Sequence, residues 1–307
     1  MTVPSVKLRP EAPARLAAIS IVAAAFVLVA VHTALAAPKA QLWDRWTHRD
    51  DNSDLTIDHS AWNAFLSRYV RTDRQGVNVV SYAVVRDADR RELDGYIERL
   101  SIAPIDTYSA KVQLAYWINL YNALTVRVVL DHYPVRSIRD IDISPGWFAD
   151  GPWDRALVEV EGARLTLNDI EHRILRPIWK DPRVHYALHT ASRGGPDLRK
   201  QAFTGANVDA MLTAAAREYV NSPRGARFDR GRLHISSLYK WYQDDFGGTP
   251  IRVLIHLRKY AAPELHNRLG MVEGISDYDY DWSLNDDPAA AGRRQADSGA
   301  PASAMLR

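Results

Sequence analysis

The chain has 307 residues, 47% of them apolar, enough to bury a core in one large domain or two modest ones. It has no cysteine, which excludes disulfides, thiolate metal sites, cysteine nucleophiles and lipid attachment through sulfur. The formal charge is only +2, and Trp and Tyr (9 and 14) outweigh Phe (6), so clefts rimmed by indole and hydroxyl groups are expected.

The first segment reads as a secretory signal over residues 1–36. Lys7, Arg9 and Arg15 precede an apolar run from Leu16 to Val31 broken only by Ser20, and Ala34-Leu35-Ala36 supplies the small-x-small cleavage pattern. The alternative is an uncleaved membrane anchor through residues 16–37, because the run extends across His32 towards the roughly 20 residues of a spanning helix. In both cases the leading positive charges keep the amino terminus inside and the rest is translocated, to the periplasm or beyond. Without the leader, 36 basic and 36 acidic residues remain. A neutral chain with no long basic run lacks the footprint of a nucleic-acid binder.

Residues 37–55 read as a linker and 56–285 as one globular domain without an internal Pro/Gly/Ser break. Residues 286–307, rich in Ala, Gly, Ser, Pro and Asp, read as a disordered tail. Helical periodicity predicts helices over Ser60 to Val70, Asp89 to Leu100 and Tyr108 to His132, the last stopped by Tyr133-Pro134. Leu157 to Leu167 predicts a hairpin turning at Glu161-Gly162. Thr166-x-x-Asp169 has capping-box spacing ahead of a helix closed near Pro177. The alternation of Val184 to Thr190 predicts a strand, Asn207 caps a helix over Val208 to Val220, Arg227 to Ile235 predicts a second hairpin, and Pro250 opens another helix. Helices interspersed with hairpins, without a strand-helix-strand rhythm, predict an α+β fold: a helix-rich single domain with a small, mostly antiparallel sheet.

Several residues could carry chemistry. Asn119 and Asn122 share a face of a strongly apolar helix, where asparagine is a poor helix former, so they either hold a neighbouring loop or act in a site. On the expected strand, His185 and His189 share a face about 13 Å apart, too far to ligate one metal together. His185 is the best single candidate for a general base, with a satisfied structural histidine the equal alternative. Ser192-Arg193-Gly194-Gly195-Pro196 follows directly as a turn whose amides could face an anion, with Arg193 and Arg199 nearby. Glu171 and His172, adjacent in sequence, would serve different partners. Asp277, Asp279 and Asp281 would line one side of an extended segment; an amphipathic edge strand is the default, and a calcium-type cation site the alternative. No metal or cofactor is assigned.

The helix Ala115-Tyr116-Trp117-Ile118-Asn119-Leu120-Tyr121-Asn122-Ala123, the segment Leu165 to Leu175 with Ile170-Glu171-His172, the stretch His185 to Pro196 and Tyr280-Asp281-Trp282-Ser283-Leu284-Asn285 occur in the order of the domain of unknown function 547 family. The chain resembles that family over roughly Ala61 to Asn285, and the family name implies no activity. The resemblance implies cysteines at the positions of Thr190 and Gly195, so thiol chemistry in relatives would be lost here. An Asn-bearing helix followed by a His-bearing strand is also similar to a papain-like or transglutaminase-like layout, with Asn119 near the nucleophile's place, where an amide cannot attack as a thiolate does.

Two readings stand open. The chain is an exported binding or scaffold domain for a small molecule or peptide, with a cysteine-less cleft to which Asn122, Glu171, His172, His189 and Arg193 contribute. Alternatively it is a hydrolase or transferase with His185 as base and Ser192 or Thr190 as nucleophile, which demands a hydroxyl within roughly 3 Å of the imidazole or one bridging water.

Overall fold

A computed structural model describes residues 37–146, 150–287, 289–290 and 292. The expected leader and most of the expected tail lie outside the described residues. Among the described residues no helix is long and apolar enough to cross a membrane.

The helix α1 (Ser60–Tyr69) leads into the hairpin β1 (Val70–Thr72) and β2 (Asn78–Val80); α2 (Asp87–Ser101) and α3 (Ala110–His132) follow. Eighteen of the 23 residues of α3 are buried, so it is wrapped by the fold on all sides. The hairpin β3 (Val158–Val160) and β4 (Ala163–Leu165) turns at Glu161-Gly162, both with φ > 0, as the sequence predicts. The helices α5 (Val208–Val220), α6 (Leu238–Trp241), α7 (Pro250–Tyr260) and α8 (Pro263–Leu269) complete the molecule together with a three-stranded sheet. In that sheet β5 (Ala226–Asp229) pairs antiparallel with β6 (Arg232–Ser236), and β7 (Asp277–Asp279) adds parallel to β6. The fold is α+β.

Two apolar cores form. One surrounds α3 and takes in Trp46, Trp62, Tyr96 and Trp117; the other gathers Tyr186, Tyr219, Tyr239, Phe246 and Leu257 around α5, α7 and the three-stranded sheet.

Several expectations need correction. Val184 to Thr190 is not a strand: Pro182–Tyr186 is a 3-10 turn, started by Pro182 and by the Asp181 side chain accepting from the Arg183 amide. The three sheets are separate, so the papain-like arrangement of a helix facing a histidine on a sheet is not formed. The helix expected to close near Pro177 does so at Trp179, with Lys180 left-handed after it. A π-helical stretch, Asp169–Leu175, runs straight into α4 (Arg176–Trp179) with Pro177 inside it. Proline cannot donate to the carbonyls behind it. Those of His172 and Arg173 instead accept from the amides of Gln41 and Trp43, at 2.9 and 3.0 Å.

The expected linker is thereby strapped onto the domain: Trp46 is 1% exposed, packs edge-on against Trp117, and Arg176 Nη1 donates to the Pro38 carbonyl at 2.6 Å. The expected tail also starts as ordered chain, because Asp287 N donates to Val80 O and the Tyr133 hydroxyl donates to Asp286 at 2.7 Å. Asn207 begins α5 but does not cap it by its side chain, which accepts from the Thr204 amide instead.

Candidate functional site

The two asparagines of α3 grip two different segments by the same device. Asn119 Nδ2 donates to Phe203 O at 2.7 Å and its Oδ1 accepts from Phe203 N at 3.1 Å. One turn along, Asn122 Nδ2 donates to Ala187 O at 2.9 Å and its Oδ1 accepts from His189 N at 2.8 Å. Each amide offers one donor and one acceptor side by side, so it pairs with backbone as a strand would. Both side chains are buried and engaged with loops. Asn119 therefore stands apart from the charged cluster described next, and the nucleophile's place expected for it is not formed.

Asn122 fixes the loop that begins beside His185, and His185 is the centre of a buried ionic cluster. Its Nε2 lies 2.7 Å from Asp245 Oδ2, its Nδ1 lies 3.4 Å from Glu171 Oε1, and its ring stacks on Tyr242 at 3.9 Å between centroids. The Nδ1 contact is an ion pair without hydrogen-bond alignment. Arg176 forks onto Asp245 (Nε at 2.6 Å, Nη2 at 3.2 Å) and its Nη1 reaches His172 Nδ1 at 2.9 Å. Glu171 and His172 do serve different partners, but both belong to this one network, because the π-helical stretch widens the turn that carries them.

The electrostatics follow from that arrangement. Burial disfavours the imidazolium of His185, but Asp245 and Glu171 on either side outweigh it and hold its pKa above the ordinary histidine value. Burial opposes the charge on Asp245 too, yet His185 and Arg176 bring it down to about 2. Glu171 is likewise held at about 2 against burial by the imidazoles of His172 and His185. Burial pushes His172 down, in keeping with a ring nitrogen that accepts from Arg176. With Asp245 at Nε2 and Glu171 at Nδ1, both ring nitrogens face carboxylates and neither faces a hydroxyl of Ser192 or Thr190. The outer edge of this cluster, Arg176 and Asp245, borders a cavity of about 530 Å³ together with Leu42, Pro177, Lys180 and Asp244.

The hydroxyls form a second group. Thr190 Oγ1, Ser192 Oγ and the Tyr280 hydroxyl lie 2.7 to 2.8 Å from one another, and burial pushes Tyr280 up to about 12. The hydrogen bonds of Ser192 and Thr190 thus run to each other and to Tyr280, and those of His185 run elsewhere. The nucleophile-base pairing expected of His185 with Ser192 or Thr190 is not made. Gly195 abuts the trio: a Cβ there would stand 2.4 Å from Thr190 Oγ1. The two positions where the family resemblance implies cysteine are therefore spatial neighbours.

The turn after Ser192 does not present its amides to an anion. Arg193 N donates to Ser283 O and Gly194 N to Asp281 O, both at 2.8 Å, while Gly195 N donates to Ser192 O. The Arg193 guanidinium pairs with Asp73 at 2.6 Å, at the edge of another cavity of about 720 Å³. Arg199 pairs with Glu218. His189 lies apart from His185, its Nε2 facing the Tyr82 hydroxyl at 3.4 Å, and burial brings it down to about 3. The three aspartates near the carboxy end face different partners: Asp277 faces His234, Asp279 pairs with Arg227, and Asp281 accepts from Ser283. Among the described residues no group of three or more histidines and carboxylates is arranged to hold a metal ion.

The sequence does not single out Asp245, Arg176 or Tyr242, and marks Tyr280 only within an edge strand and within the family-like segment Tyr280 to Asn285. Asp245 stands 60 positions from His185, and nothing local marks it as the imidazole's partner. Arg176 had one signal, its place one turn after His172 on a helix carrying buried charge.

Neither a curated protein nor a solved structure matches the chain. The family model described as protein of unknown function, DUF547, matches residues 105–220. That span runs from the start of α3 to the end of α5 and carries both asparagines, Glu171, His172, Arg176, His185 and the Thr190–Ser192 turn, whereas Tyr242, Asp245 and Tyr280 come from beyond it. Over residues 105–220, which hold α3 and part of each cluster, the chain thus matches the model of the DUF547 family of proteins of unknown function.

Proposed function

We propose that the chain is an exported binding or scaffold domain whose cleft does not run nucleophilic group transfer. The observation that carries this reading is the separation of the would-be base from the would-be nucleophiles. His185 has its two ring nitrogens against the carboxylates of Asp245 and Glu171, while Ser192 and Thr190 are hydrogen-bonded to Tyr280. A serine attacks only when a base takes its proton, and a tyrosine pushed up to about 12 is no base near neutral pH. The loss of both implied cysteines supports the same reading.

The test is labelling of the full-length protein with a fluorophosphonate probe, which reports activated serines. Labelling no greater than that of Ser192→Ala is expected. Labelling at Ser192 that disappears in His185→Ala would overturn the reading. Export is tested separately by expressing the chain with a carboxy-terminal tag and fractionating the cells. A product beginning at Ala37 outside the cytoplasm supports cleavage and a full-length product in the membrane fraction supports the anchor; full-length chain in the cytosol removes export.

A further inference from the structure

We propose that the aromatic ridge formed by Trp153, Trp241, Tyr280 and Trp282 is a binding site for a neutral oligosaccharide. This rests on the binding-domain reading and names the ligand class of that domain. Four large rings stand together here: Trp241 against Tyr280 at 4.8 Å, Tyr280 against Trp282 at 4.7 Å, Trp241 against Trp282 at 5.4 Å and Trp153 against Trp282 at 5.9 Å between centroids. All four are half-buried. Trp153 and Trp282 pack against the first apolar core, whereas Trp241 and Tyr280 pack into neither, so the ridge runs from the core edge outward.

The ridge is amphipathic in the way a sugar needs. A pyranose offers apolar C–H faces with hydroxyls at its rim, and an aromatic ring carries a negative face that such C–H bonds approach, while its edges and tips stay polar. The Tyr280 hydroxyl is hydrogen-bonded to those of half-buried Thr190 and buried Ser192. At the rim are Arg139, whose guanidinium stands 5.5 Å from the Trp282 ring, and the Asp281–Ser283 pair. Arg139 is neutralised by Asp150, so the ridge does not offer a free cation to an acidic glycan. Aromatic side chains with a few fixed polar groups are the composition that small-ligand sites favour.

The test uses the full-length protein and chito-, cello- and xylotetraose at millimolar concentration, with binding read by saturation-transfer NMR and affinity by calorimetry. At least one of the three is expected to bind, with its C–H protons saturated. Trp241→Ala and Trp282→Ala are each expected to weaken binding about tenfold. Trp241→Phe should retain most of it, which separates lost stacking from lost folding, and Trp179→Phe, away from the ridge, should bind as the parent does. Binding of none of the three, binding of tetramethylammonium in their place, or undiminished affinity in both alanine variants overturns the inference. A chain that binds no sugar and still resists the fluorophosphonate overturns this inference alone and leaves the binding-domain reading standing.

Discussion

Replacing Asn122 by Leu keeps the size of the side chain and removes both of its hydrogen bonds. The Ala187 carbonyl and the His189 amide then lose their partners in a place where the two residues are 2% and 1% exposed. A buried polar group left unpaired costs about 1 to 3 kcal/mol, so the two together cost about 2 to 6 kcal/mol. The apolar leucine recovers about 1 to 2 kcal/mol by burial, leaving a net loss of about 0 to 5 kcal/mol, about 2.5 at the midpoints. Against a domain stability of about 5 to 15 kcal/mol this is measurable by urea unfolding, as a lower midpoint at unchanged slope. The His189 amide should also lose its protection against hydrogen exchange. A Leu variant as stable as the parent, or a His189 amide that stays protected, would refute the reasoning that Asn122 holds this loop.

Acid should destabilise the fold through its neutral buried histidines. Burial brings His59 and His256 down to about 4 and His189 to about 3, so between those values and about 6.5 the unfolded chain binds protons that the folded chain does not. Their contribution is complete above about pH 6.5 and is lost as pH falls towards 4, by about 2 kcal/mol per histidine at pH 5. His185 runs the other way: its folded pKa is raised, so its contribution is complete below the ordinary histidine value and is lost as pH rises through the folded one. Urea midpoints that are equal at pH 5 and pH 7 would contradict the acid limb. In Asp245→Asn, the Arg176 fork and the His185 ion pair lose their charge, with an expected cost of about 3 kcal/mol. The His185 pKa should fall in that variant; an NMR titration in which it does not move removes Asp245 as its cause. Gly195→Ala drives a methyl into Thr190 Oγ1 and should cost about 1 to 3 kcal/mol. Adding Thr190→Ala should recover part of that loss in thermal melts, and no recovery would mean the strain lies elsewhere.

Features set by local chemistry are the ones that can be read from the chain alone. Periodicity in α1, α2, α3, α5 and α7, and the Glu161-Gly162 and Arg230-Gly231 turns, were legible because each is written within a few residues of itself. The stretch Val184 to His189 misled for a physical reason. All six residues are buried, so its alternation reflects no solvent-facing side and carries no strand signal, while the Asp181-Pro182 start of a helical turn stood just ahead of it. The absence of cysteine and the odd pair of asparagines were also legible, but not what the asparagines hold, since Phe203 and Ala187 lie 84 and 65 positions away. Only the tertiary structure set His185 between Glu171 and Asp245, joined Ser192 to Tyr280, and used Pro177 to free the carbonyls that strap the segment after Pro38. Those contacts join groups far apart in the chain, and their energies depend on burial that no single segment possesses before the cores close.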